Sequence, residues 1–180
     1  MRKTFKQTFK IRNFDVDFNG KLKLEMLLDF LQDSAAEHAR SFGLSGEDLL
    51  KKNLAWILSR YHIQINQYPQ RGETIEVKTW PSQNKGVFTL REYEIRTSRA
   101  TYVQATSSWM AVDIQRKKPV NIKKSLPDFP VQDRRAVRDD FKSLPDSNRT
   151  DIEMRFPVLK SDLDFNRHVN NAVYVHWAVE

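Results

Sequence analysis

The opening of this chain recurs near its end at one constant spacing. Phe9, Ile11, Asp17, Phe18 and Asn19 match Phe156, Val158, Asp164, Phe165 and Asn166, each pair separated by 147 positions, as Asp17 is from Asp164. The same spacing sets Leu22 against Val169, Met26 against Val173, Leu27 against Tyr174, Phe30 against Trp177 and Asp33 against Glu180. A shared Asp-Phe-Asn triplet alone carries little weight. An apolar stripe kept in register for several helical turns after it makes duplication of one structural unit the better account. The chain is therefore expected to hold two copies of the same module.

The first copy supplies its pattern in full. Phe5, Phe9 and Ile11 fall near a period of two over residues 3–12, which suits a half-buried strand. A turn follows through Asn13 to Gly20. Leu24, Leu27, Leu28, Leu31, Ala35, Ala39 and Phe42 then recur at spacings of three and four, the mark of a long amphipathic helix that Gly43 can end. Strands are expected near 54–66, 73–80, 86–97 and 101–115, separated by Pro69 and Gly72, by Pro81 and Gly86, and by Ser98 and Arg99. Neighbours in sequence favour antiparallel pairing. Ile75, Val77 and Thr79 alternate with Glu76 and Lys78, so one face of that strand should meet the helix and the other should be wet. One helix on one antiparallel sheet gives an α+β class.

Residues 116–150 carry four of the seven prolines, many charges and little periodicity, and read as a linker. The expected division is a first unit over 1–115, a linker over 116–150 and the start of a second unit over 151–180. That second copy reaches residue 180 inside its helix, so it is truncated in this chain by about 70 to 80 residues relative to the first.

Composition narrows the function classes. Hydrophobic residues at 39% and charged residues at 29% are ordinary for a globular protein. No apolar run approaches a membrane span and no signal-type apolar core opens the sequence, so the expected location is cytoplasmic. Zero cysteines exclude a disulfide framework, a thiolate metal site or a cysteine nucleophile within these residues. No metal site or cofactor is expected, and a nucleophile must be water or an oxygen. The formal net charge of +7 favours anionic partners without choosing among them. Basic residues gather at Arg116, Lys117, Lys118, Lys123 and Lys124 and again at Arg134, Arg135 and Arg138, where a solvated linker is the simplest reading.

The candidate chemistry sits in Asp164 through Asn171, which gathers a carboxylate, amides and an imidazole between a strand and a helix. The first N–H groups of a helix beginning near Asn170 can bind a developing oxyanion, with Asn170 and Asn171 in support. His168 can exchange a proton with water or a leaving group near neutral pH if an acceptor orients its ring. Asp164 can orient it or activate water, and Asn166 can hold water or a carbonyl without titrating. An Asx-rich turn with an asparagine cap explains the same residues without chemistry. The repeat favours the functional reading, since the first copy keeps Asp17 and Asn19 but has Lys21 in place of the histidine. His38, His62 and His176 show no metal-ligand spacing and are expected to have packing or surface roles.

At these residues the chain resembles the acyl-acyl carrier protein thioesterases of bacteria and plant plastids, whose signature is similar to Asp164 through Tyr174. The resemblance extends to Thr79-Trp80-Pro81, Arg91-Glu92-Tyr93 and Ala105 through Ala111. It implies tandem hot-dog units, each a long helix wrapped by an antiparallel sheet, the first shaping an acyl cavity and the second carrying catalytic Asp164, Asn166 and His168. It also implies a further catalytic carboxylate or cysteine on a later strand, beyond residue 180. The implied reaction is hydrolysis of fatty acyl-acyl carrier protein to free fatty acid and holo carrier protein, without a cofactor. An acidic carrier protein is the expected partner, and a homodimer is compatible with this reading. An acyl-coenzyme A thioesterase and a non-catalytic acyl-binding hot-dog protein are the alternatives; nucleic-acid binding rests on the basic pI alone.

Overall fold

The computed structural model describes residues 3–146, 153–164 and 167–179. Its frame is one antiparallel sheet built from β1 (Phe5–Lys10), β2 (Leu54–Ile65), β3 (Thr74–Lys85), β4 (Phe88–Arg96) and β5 (Thr101–Asp113), in the order β1-β3-β4-β5-β2. A two-residue β6 (Lys118–Pro119) extends it beside β5. The long helix α1 (Leu24–Arg40) lies against the inner face. Leu27, Phe30, Leu31 and Ala35 of α1 pack there on Ile75, Val77, Tyr93, Ile95, Val103 and Ala105. The apolar face of α1 is buried mainly against this sheet, a gain of about 25 cal/mol per Å² of apolar surface removed from water. The α+β expectation is met.

The strand limits differ instructively at β3. Pro81 was expected to end that strand, yet β3 continues to Lys85 with a register shift between Pro81 and Gln83. Its neighbour β1 reaches only to Thr79, so on that side Pro81 needs no ladder N–H and a proline is tolerated. A short helix, α2 (Gly46–Leu50), follows α1; its signal is present in Ser45 and Asp48, which form a reciprocal capping box, and a single turn, α3 (Ile122–Ser125), follows β6.

The outer face of the sheet is drier than expected, because residues 130–142 lie across it as a strap. The Gln132 N–H donates to the Pro81 carbonyl, and the Trp80 indole to the Arg134 carbonyl. Outward-facing Glu92 is buried and accepts from Ser82, Thr106, Arg135 and the Ala136 N–H. Glu94 pairs with Arg134, and His62 Nδ1 lies 2.7 Å from Asp139. Arg135 is thus a nearly buried counter-ion to Glu92, while Arg134 pairs with Glu94 from a half-exposed position. Arg116, Lys117, Lys118, Lys123 and Lys124 are exposed, as expected.

The second copy begins as the first does. A 3-10 turn at Asn13–Asp15 is matched by one at Lys160–Asp162, the bridge Val16 to Leu22 by Leu163 to Val169, and the start of α1 by that of α4 (Asn171–Val179). Residues 153–159 form no strand. In the first copy β1 owes its ladder to β3, which lies more than sixty residues downstream. Among the described residues α4 has no sheet around it, and Tyr174 is 57% exposed.

Two predictions follow from this packing. Glu92→Gln removes the charge facing nearly buried Arg135 and should destabilise the protein by about 3 kcal/mol in urea unfolding, whereas Arg134→Ala, at a half-exposed pair, should cost under about 1 kcal/mol; equal effects would contradict the assignment. Buried Asp15 has its carboxyl held below the usual range by the Arg12 side chain, despite the opposing effect of burial. Its contribution is complete above the unfolded value of about 3.9 and is lost as pH falls through the lower folded value. Asp15→Asn should therefore flatten the decline of stability below about pH 4, and an unchanged slope would show that another carboxylate governs it.

Candidate active site

The turn before α4 is held by Asp164. Its N–H donates to the His168 carbonyl at 2.8 Å, its carbonyl accepts from the Arg167 N–H at 3.0 Å, and its Oδ1 accepts from the His168 N–H at 3.0 Å. The first copy repeats each bond, with Asp17 clasping Lys21 and Gly20 at 2.8, 3.0 and 3.0 Å. Asp162 makes a second matched set, accepting from the Leu159 N–H through its side chain and from the Asn170 N–H through its carbonyl, as Asp15 does from Arg12 and Lys23. The clasp lowers the pKa of Asp17, chiefly through the Lys21 N–H. The turn is an Asx-type structure in both copies.

One substitution inside the turn is costly. Gly20 has φ +75°, and its counterpart Arg167 adopts φ +63° although it carries a side chain. That conformation strains a non-glycine residue by roughly 1 to 2 kcal/mol. Arg167 is exposed beside His168, so the second copy carries its cation one position before the residue that Asp164 clasps, whereas the first carries Lys21 at the clasped position itself.

Asn170 caps α4 by accepting from the Ala172 N–H at 3.1 Å, and its carbonyl takes the Val173 N–H. Among the described residues no acceptor takes the Asn171 N–H, which stands at the positive end of the helix. The Asn171 side chain donates to Gln32 Oε1 of α1 at 2.7 Å, joining the second unit to the first.

This contact sets the turn at the edge of a cavity of about 470 Å³ between α1 and the sheet. Asp164, Asn170 and Asn171 line one part of it, with Gln32 and Asp33 of α1. Ala35, Ala39, Leu58, Trp109 and Phe129 give the remainder an apolar wall, into which β4 projects Arg91. The structure thus brings together three of the expected site residues. His168 is tied to Asp164 through its backbone, but it is exposed and does not line the cavity. Asn166 lies outside the described residues. Gln32 and Arg91 had no role assigned from sequence; the inward alternation of Thr89, Arg91 and Tyr93 along β4 was the available signal for Arg91.

A helix wrapped by a curled antiparallel sheet, with a second such unit begun after it, defines the hot-dog class. Solved structures agree: a 12:0-ACP thioesterase from Umbellularia californica superposes over 100% of this chain and 75% of its own, with TM-score 0.82 and 23% identity. An acyl-ACP thioesterase from Bacteroides thetaiotaomicron does so over 98% and 72%, with TM-score 0.74 and 26% identity. Residues 2–128 match the acyl-ACP thioesterase N-terminal domain and residues 146–180 the C-terminal domain, and the chain belongs to that family. The chloroplastic palmitoyl-acyl carrier protein thioesterase of Arabidopsis thaliana is 27% identical over 191 residues, spanning 98% of this chain and 46% of the relative. The chain therefore spans about half the length of the curated relatives it matches.

The matched turns allow a reciprocal test. Arg167→Gly should raise stability by up to about 1 kcal/mol, and Gly20→Ala should lower it by about 1 kcal/mol, since an added Cβ at Gly20 meets nothing within 4 Å. Thermal unfolding measures both, and a stabilising Gly20→Ala would contradict the shared geometry.

Proposed function

We propose that the protein hydrolyses the thioester of a fatty acyl-acyl carrier protein, with the alkyl chain in the first unit's cavity and the chemistry at the second unit's turn. The carrying observation is that Asp164, Asn170 and Asn171 line the same cavity as the apolar wall beneath α1. Water attacks the thioester carbonyl, the carbon–sulfur bond breaks, and the products are a fatty acid and the free thiol of the carrier arm. The Asn171 N–H, at the N-terminus of α4, supplies hydrogen bonding to the oxyanion, a contribution of about 3 to 4 kcal/mol for one well-placed donor.

His168 is assigned the proton transfers: exposed at the rim, its imidazole can accept a proton from water and return it to the leaving thiolate, a contribution of roughly 10² to 10⁴ in rate. Asp164 fixes the turn and is positioned to orient water, and Asn166 is proposed to hold the carbonyl or the water. Exposed Lys160 and Arg167 beside the turn suit an acidic carrier protein as the donor.

In the full-length protein, His168→Ala should reduce turnover at least about 100-fold while leaving acyl-ligand affinity within about twofold; a variant retaining most of its rate would remove the histidine from the mechanism. Carrier-protein thioesters should have the higher kcat/KM against coenzyme A thioesters of the same acyl group at low ionic strength, with the advantage shrinking as salt is added. Equal values insensitive to salt would favour the coenzyme A alternative.

A further inference from the structure

Arg91 is an unusual side chain for an acyl cavity. It extends from β4 on the inner face of the sheet, and one terminal nitrogen lies 3.2 Å from His38 Nδ1 and 3.2 Å from Thr79 Oγ1. Tyr61 and Tyr93 stand beside it, their hydroxyls 3.4 Å apart, and Ser107 and Trp109 continue that network. Thr79, Tyr61, Tyr93, Ser107 and Trp109 bear no carboxylate, and His38 meets the guanidinium through a ring nitrogen. Among the described residues no carboxylate pairs with Arg91, whereas Arg134 and Arg135 on the outer face each have one. Asp33 and Asp164 also line the cavity.

Arg91 is half-buried on the cavity wall, and a guanidinium keeps its charge even when partly withdrawn from water, at a cost that a counter-ion would offset. Burial accordingly lowers the pKa of Arg91 from its ordinary value. The anchored nitrogen fixes the orientation of the planar fork, and the side chain forms part of the cavity wall. Its remaining donors suit two parallel bonds to a carboxylate. Position matters as well: His38, which holds the guanidinium, follows Gln32, which holds Asn171, by six residues. At 1.5 Å per residue the cation lies about 9 Å along α1 from the turn.

We propose that Arg91 is a binding site for the carboxylate of an aliphatic chain lying in the cavity. The inference rests on reading the cavity as the acyl site. Two sources carry this chemistry: an acyl group bearing a second, terminal carboxylate, held with its thioester at the turn, or a free fatty acid entering carboxylate first. In the first case Arg91 selects a dicarboxylic acyl substrate; in the second it makes the protein responsive to its own product class.

Calorimetric titration of the full-length protein with decanoate and with 1-decanol tests the site without any thioester, so a failure of the catalytic reading leaves the binding result legible. Decanoate should bind at least tenfold more tightly than the alcohol, and Arg91→Gln should bring the two within twofold. If Arg91→Gln does not fold, Arg91→Lys, which retains charge, should keep the preference for the acid at reduced size, while Arg91→Met should lose it. Hydrolysis of decanoyl and 9-carboxynonanoyl carrier-protein thioesters separates the sources. A tenfold higher kcat/KM for the carboxylated chain, abolished in Arg91→Gln, assigns the dicarboxylic substrate. Preference for the plain chain, with decanoate inhibition weakened tenfold in the variant, assigns the free acid. Equal affinity for acid and alcohol, or an acid preference unchanged when the Arg91 charge is removed, overturns the proposal.

Discussion

A single aspartate carboxylate closing a turn onto the backbone four residues ahead organises both halves of this molecule. Asp17 does this for the first unit and Asp164 for the second, through hydrogen bonds of the same length to Lys21 and His168. The clasp precedes the start of each helix, at Leu24 in the first copy and Asn171 in the second. Conservation of that geometry with a changed residue at its end, lysine in one copy and histidine in the other, separates scaffold from candidate chemistry. The same carboxylate that shapes the turn also borders the cavity.

The two units divide the work unequally. The sheet of the first unit encloses α1 and leaves a mostly apolar hollow beside it, so its helix is a wall. The second contributes a turn and a helix end, with the Asn171 to Gln32 hydrogen bond seating them at that wall. Across the other face of the sheet, the strap places Arg135 over Glu92 and Arg134 over Glu94, so the carboxylates of β4 are neutralised locally. Arg91 projects from the same strand to the opposite face and receives no such partner among the described residues. One strand thus displays a satisfied ionic face and an unsatisfied one, and the unsatisfied face lines the cavity.

Much of this was legible beforehand because periodicity reports burial. The three-and-four spacing of Leu24 through Ala39 located α1, and the alternation of Ile75, Val77 and Thr79 located the inner face of β3. The repeat located both turns, and the helix expected near Asn170 begins at Asn171. The strap was not legible in this way. Its residues are held by individual bonds from Gln132, Arg134, Arg135 and Asp139 to groups far away in sequence, which leave no period to read. The extension of β3 through Pro81 was hidden for a related reason, since it depends on how far β1 reaches. Arg91 was visible as a residue but not as a cavity group, because its meaning comes from the absence of a carboxylate that only three dimensions reveal.

The central claim is that the turn of the second unit and the cavity of the first form one site. A crystal structure of the full-length protein with a non-hydrolysable acyl-pantetheine amide tests it most directly. The account predicts the alkyl chain beneath α1, between Ala35 and Trp109, with the amide carbonyl within hydrogen-bonding distance of the Asn171 N–H and the His168 ring reaching the same group directly or through one water. An alkyl chain bound elsewhere, or a carbonyl remote from the turn between Asp164 and Asn171, would contradict it.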